Sequence, residues 1–426
     1  MRLDLTPQPP SLKGRGSATE DHSPLPFREG GLGGLGWSTW LLLVLAVALA
    51  AFAPGDVGSR AALADRDVTV PAVPGLASPY RAASPEYGMS VFPWFHPATS
   101  GRDFDLVRQA GFTWAKLLVP WRAVQPESRD GFVWDEADRV VGEARERGLE
   151  IVARIDQQPR WARADRTDRN GPPDDPDDLG RFVGAFVDRY RVGSPRGRVR
   201  AIEIWNEPNT TWEWGGERPD PPRYTRLLWR AYLAAKRADP SVTVISAGFN
   251  PTSKLLDNSV PEDEFLRGMY GAGAQAAFEV LGLHAPGYKA PPEMSPEEVR
   301  ARLDLGAQPM FSFRRVEQIR AIMETQGDGG KQIWLTEFGW TTNPHSDVWW
   351  RVDEQTKADY LVRAYAWARQ RWAPWIGVMA VWTLPDPDWG IANEQLWYSI
   401  ADTDGSPRPA YERLRRARES GLLTSR

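Results

Sequence analysis

Two glutamates occupy positions from which a carboxylate can do chemistry. Glu207 ends the apolar run in IEIWNEPN (202–209), and Glu337 does the same in IWLTEFGW (333–340). Each follows strand-forming residues, and Pro208 or Gly339 then breaks the strand. A strand that stops there leaves its last carboxylate projecting from the sheet end. Two such groups facing each other across a cleft can cleave a glycosidic bond. One protonates the leaving oxygen while the other attacks the anomeric carbon, at a separation of about 5 to 5.5 Å in the retaining variant. Taken singly, a strand-end glutamate can equally serve as half of a structural ion pair. Its neighbours and the fold must decide.

The elements that would bring the two together alternate from Tyr87 onward. Short β-branched or aromatic runs predict strands at 87–95, 113–119, 150–156, 200–206, 242–248, 278–284, 333–338 and 376–383. Longer amphipathic stretches predict helices at 135–148, 178–191, 222–238, 311–326, 353–372 and 407–419. Alternation of this kind argues for parallel βα units. No Gly-rich turn follows the first strand, as a doubly wound nucleotide-binding sheet would have it. The expected fold is therefore α/β, a (β/α)8 TIM barrel over 87–420. Active sites of such barrels form where strands end and βα loops begin. Glu207 and Glu337, 130 residues apart, then close strands 4 and 7 on roughly opposite sides of one mouth. The DPDD stretch (175–178) reads as a helix N-cap and surface turn in preference to a metal site.

With WNEPN at the fourth strand and TEFGW at the seventh, residues 87–415 resemble clan A of the glycoside hydrolases, the group that includes families 5 and 39. The resemblance implies Glu207 as acid/base and Glu337 as nucleophile. It also implies Asn206 as a hydrogen-bond donor to the sugar 2-hydroxyl and to the nucleophile. His284 in LGLHAPGY looks like the clan's active-site histidine, and Trp382 in AVWTLPD like the tryptophan that floors the subsite of the attacked sugar. Tyr288 resembles the phenol that orients the nucleophile, although it follows the histidine by four residues where many relatives have two. Family 5 members often carry arginine on strand 2, where the nearest equivalent here is Lys116. No cofactor is implied.

The composition is that of an ordinary globular chain, 42% hydrophobic and 25% charged over 426 residues, with no cysteine. Thiol nucleophiles, disulfide scaffolds and Cys-type zinc sites are thereby excluded. A net charge of -4 gives no basic footprint for nucleic acid. The 21 tryptophans stand out. Flat rings suit the apolar faces of sugars, and several tryptophans fall in proposed βα loops: Trp161, Trp212, Trp214, Trp349, Trp350, Trp389 and Trp397. Trp212 and Trp214, after strand 4, are the leading candidates for substrate stacking.

Ahead of the barrel, residues 1–36 read as a disordered leader, and 37–53 (WSTWLLLVLAVALAAFA) as a signal or membrane anchor. An A-x-A pattern at 62–64 offers a cleavage site. A signal rarely sits behind 36 residues, so the natural translation start is expected downstream of Met1. Residues 54–86 read as a linker or an arm lying on the domain. The whole predicts a secreted or membrane-anchored, extracytoplasmic monomer whose partner is a carbohydrate. The competing reading is a non-catalytic carbohydrate-binding barrel or an accessory protein of exopolysaccharide export.

Overall fold

The computed structural model describes residues 80–252, 258–345 and 348–423. The expectations for 1–36, for 37–53 and for most of 54–86 lie outside them. Among the described residues no helix is long and apolar enough to cross a membrane.

Eight parallel strands close on themselves: β1 (Glu86–Ser90), β2 (Trp114–Pro120), β3 (Glu150–Asp156), β4 (Ala201–Ile204), β5 (Thr243–Ser246), β6 (Val280–Pro286), β7 (Gln332–Gly339) and β8 (Ile376–Val381). Each pairs with the next, and β8 pairs with β1. A helix follows every strand: α1 (Ser100–Gln109), α2 (Asp135–Glu146), α3 (Pro176–Arg189), α4 (Pro221–Ala238), α5 (Glu262–Gly271), α6 (Val316–Thr325), α7 (Glu354–Trp367) and α8 (Pro409–Glu419). The expected (β/α)8 barrel is present, and all eight strands lie where the apolar runs put them.

Helices α1 and α5 were not foreseen. Both are only ten residues long, and neither has a side-chain cap at its start. Such short segments are helical because Phe104, Val107, Phe265 and Leu266 are buried on the barrel, not because of local propensity. The predicted helix 311–326 begins later, at Val316, because two 3-10 turns hold Phe311 and Phe313. Asp175 caps α3 through the N–H of Asp177 with Pro176 at the first turn, as the DPDD reading expects.

Period-two alternation divides each strand between the lumen and the helix layer. In β2, Ala115, Leu117 and Val119 join the core under the helices, while Trp114 faces the lumen. There it packs with Val152, Ala201, Ile245, Val280, Trp334 and Val378 from the neighbouring strands. The Trp114 and Trp334 rings meet edge to face at 5.2 Å. Trp334 fits because β8 carries Gly377, where a Cβ would come within 2.0 Å of the indole nitrogen. Tyr80 and Ala82 complete this floor, and Glu86 binds the Tyr80 hydroxyl, the Ala83 N–H and the Trp114 N–H. The last residues of the expected linker are thus the plug of the barrel, held by an apolar floor that no sequence period reveals.

Candidate active site

One layer above the floor the lumen becomes charged. Lys116 of β2, Arg154 of β3 and Glu203 of β4 alternate inward, and Arg154 and Glu203 are register partners. Glu203 is fully buried, accepts the Gly248 N–H at 2.8 Å and lies 3.4 Å from Lys116 Nζ. This layer is the base on which the mouth is built.

After β4 the chain turns sharply, with Trp205 at φ 78° and Glu207 at φ 38°. Left-handed backbone at non-glycine residues costs on the order of 1–3 kcal/mol each, so it persists only where surrounding contacts fix it. They do: Trp205 N donates to Ile155 O (2.9 Å), Glu207 N to Gly248 O (3.0 Å) and Thr210 N to Glu207 O (2.9 Å). Asn209 reaches across to the carbonyls of Asn250 and Val260 and accepts the Asn250 N–H. This positions Asn250 so that its Nδ2 donates to Glu207 Oε2 at 3.0 Å.

Glu337 arrives from β7, beside a bulge that pairs it with His284 of β6. The imidazole stands between the two glutamates. Its Nδ1 is 2.8 Å from Glu207 Oε1, and its Nε2 is 3.6 Å from Glu337 Oε1. Opposite sides of one ring therefore cap the oxygen–oxygen separation at about 9 Å, within the span over which paired carboxylates act on one sugar ring.

The electrostatics of the pair are unequal. Glu337 Oε1 takes Lys116 Nζ at 2.7 Å and Arg154 Nη1 at 3.3 Å. Burial pushes its carboxyl up, but His284, Lys116 and Arg154 outweigh that and hold it below the usual carboxylate range. Among the described residues Glu207 has no such Lys or Arg; its partners are an amide and the imidazole. One member of the pair is thus held ionised by two fixed cations, and the other is held by an amide donor and an imidazole.

The remaining expected residues are placed with two corrections of role and several of location. Asn206 is in the site, but its oxygen accepts from Arg154 (3.0 Å) and its amide donates to Glu213 (3.0 Å). The donors to Glu337 are Lys116 and Arg154, not Asn206. Tyr288 does not orient Glu337 either: its hydroxyl faces the Pro251 carbonyl at 3.5 Å and its ring packs on Phe311. The loop after β6 carries that phenol past the strand end, at a left-handed residue of φ 50°.

Trp382 follows β8, half-buried, with its indole N–H donated to Gln395 (2.7 Å) and its own amide bonded to the carbonyl of Phe338, next to Glu337. It stands at the rim beside Phe92. Trp212 is half-buried on the loop after β4. Trp214 is not a substrate surface. It is fully buried between Trp205 and Tyr224. Trp350 and Trp389 are likewise buried. Trp161 packs edge-on to Trp121 and donates to the Gln125 carbonyl. These long βα loops build small cores of their own, which is where a large apolar ring is stabilised.

Arg154, Asp156, Glu203, Glu213 and Asn250 join the site without having been expected there. A signal existed for the first three. Parallel barrel strands are buried on both faces and read as continuous apolar runs, so the charges inside EIVARID and AIEI mark a polar lumen. Glu213 had no such marker. Burial and the negative charges of Asp156 and Glu207 push its carboxyl up against the pull of Arg154 and Asn170, and Asn170 Nδ2 holds its second oxygen.

No protein-family model matches the sequence, and no curated protein matches it. Solved structures do. A family 39 glycoside hydrolase from the gut symbiont Bacteroides cellulosilyticus superposes with a TM-score of 0.58 at 21% identity, over 81% of this chain and 64% of that one, so the chain spans less than two thirds of that protein. A GH5_18 structure from Streptomyces cattleya in complex with GlcNAc gives 0.58 at 15% identity, covering 81% and 82% of the two chains. A GH39 beta-xylosidase from Caulobacter crescentus gives 0.51 at 17% identity, covering 81% and 73%. At these identities the common property is the fold: the chain is built on the same eight-stranded βα barrel as these structures.

Proposed function

We propose that the protein hydrolyses O-glycosidic bonds of a β-linked polysaccharide or oligosaccharide with retention of configuration, using Glu337 as nucleophile and Glu207 as acid/base. The observation that carries this reading is the unequal pair: two carboxylates across one imidazole, only one of them clamped by Lys116 and Arg154. Glycoside hydrolases among the similar structures support it.

In the first step a Glu337 oxygen bonds to the anomeric carbon as the bond to the leaving oxygen breaks, and Glu207 gives that oxygen its proton. In the second, Glu207 takes a proton from water, the water oxygen attacks the same carbon, and Glu337 leaves as carboxylate. His284 suits both. With its proton on Nε2, towards the anionic Glu337, its Nδ1 accepts from the protonated Glu207. Trp382 and Trp212 supply ring faces for sugar, and Asn206, oriented by Arg154 and Glu213, is the hydrogen-bonding group for a ring hydroxyl. We further propose that the barrel (87–420) works outside the cytoplasm as a monomer, carried there by the apolar run 37–53.

Incubation with a panel of glucan, mannan and xylan oligosaccharides, followed by proton NMR at early times, tests the reading. The β-anomer of the product should appear first. First appearance of the α-anomer contradicts retention, and sugar binding without any new reducing end contradicts catalysis in favour of a carbohydrate-binding barrel.

Lys116→Met tests the clamp. Loss of the nearest cation lets the Glu337 carboxyl rise, because burial then meets less opposition. The acid limb of kcat/KM should move to higher pH, and activity at neutral pH should fall on the order of tenfold or more. An acid limb that stays in place assigns the nucleophile elsewhere.

A further inference from the structure

On the rim next to the active-site wall, the loop after β1 brings His96 against Asp386 and Asp388 of the loop after β8. One ligand atom from each lies within 4.8 Å of the others. Asp386 is fully buried. Its Oδ1 accepts the Asp388 N–H at 2.9 Å and faces His96 Nε2 at 3.4 Å. Its Oδ2 is buried with no hydrogen-bond partner, and so is His96 Nε2. Beneath them lies Asp103 of α1, 2% exposed, with one oxygen held by Arg102 and the other again unpartnered.

Burial without partners is costly for a carboxylate unless a charge compensates it. The compensation from the chain falls short. Among the described residues, Asp103, Asp386 and Asp388 face one guanidinium, that of Arg102, and Arg139 nearby is engaged by Glu136 and Glu143. An imidazole that ligates a metal must be neutral, and three carboxylates against one guanidinium then leave two negative charges for the ion to balance. A single dication balances the charge and occupies the unpartnered atoms of Asp386 and His96. Asp388 is exposed and leaves an entry path.

We propose that His96, Asp386 and Asp388 bind a divalent transition-metal ion, Zn2+ or Mn2+, that fastens the first βα loop to the last. One imidazole with carboxylates is a mixed N/O donor set, which suits these ions, whereas Ca2+ and Mg2+ prefer oxygen throughout. The ion sits behind the wall on which Phe92 meets Trp382 at 5.6 Å and Trp389 at 4.8 Å. It is a structural rivet at the seam where β1 closes on β8. This inference does not depend on the proposed activity.

The test uses untagged full-length chain stripped with a chelator, then titrated calorimetrically with ZnCl2, MnCl2 or CaCl2 alone and followed by thermal unfolding. One equivalent of Zn2+ or Mn2+ should bind and raise the melting temperature by at least about 2 °C at saturating metal. Asp388→Asn, on an exposed side chain where folding is not at stake, should weaken that binding more than about tenfold, and His96→Gln more still. Absence of stoichiometric uptake, uptake unchanged in Asp388→Asn, or tighter binding of Ca2+ than of either transition metal overturns the proposal.

Discussion

Glu337→Ala should lose turnover of an activated aryl β-glycoside by about four orders of magnitude, roughly 5.5 kcal/mol of transition-state stabilisation, and azide should restore part of it. The substitution removes the attacking oxygen and nothing else that the first step needs. Glu207 keeps Asn250 and His284. The cations left behind keep partners too, since Lys116 retains Glu203 and Arg154 retains Asp156, so the barrel should fold and its melting temperature should change little. The vacated space beside two cations is a site for a small anion. Azide bound there attacks from the face that Glu337 used, and the expected product is the α-glycosyl azide. Turnover within tenfold of the parent protein removes Glu337 from the mechanism. A β-glycosyl azide from this variant exchanges the roles of the two glutamates.

What could be read from the chain, and what could not, follows the range of the interactions concerned. Glu207 and Glu337 were legible because strand, carboxylate and strand breaker are contiguous, and because a closed parallel barrel gathers strand ends at one mouth. Their partners come from elsewhere. Arg154 reaches Glu337 across 183 positions and Lys116 across 221; the family resemblance points to the place of Lys116, and for Arg154 only the alternation of β3 against the lumen gives a hint. Asn250 depends on Asn209 gripping the loop after β5, a contact no periodicity encodes.

The tryptophans failed for the opposite reason. A loop position suggests a solvent-facing ring, yet the loop after β4 folds Trp214 under Trp205 and Tyr224, and the loop after β8 folds Trp389 against Phe92. Burial of large rings in loops long enough to make their own core is favoured by area alone. Of the rings expected to meet sugar, Trp214, Trp350 and Trp389 are buried, whereas Trp161, Trp212, Trp349, Trp382 and Trp397 keep partial exposure. Ring count is therefore a poor guide to the number of subsites here.

Glu207→Ala should separate the two chemical steps. Substrates whose leaving group needs a proton, such as unactivated oligosaccharides, should be cleaved about 10^2- to 10^4-fold more slowly, the usual worth of a positioned general acid. A dinitrophenyl glycoside needs no proton, so Glu337, still clamped by Lys116 and Arg154, should attack it at close to the parent rate. Water then has no base to activate it. The glycosyl-enzyme should accumulate, and the release of dinitrophenol should show a burst of one equivalent followed by a slow steady state. Azide requires no base, and it enters from the side that Glu207 occupied. It should accelerate the steady state and yield the β-glycosyl azide, the mirror of the outcome for Glu337→Ala. The pH profile offers an independent check: the acid limb set by Glu337 should stay in place in this variant. Equal losses for good and poor leaving groups, with no burst, would mean that Glu207 positions the substrate and that the proton comes from another group.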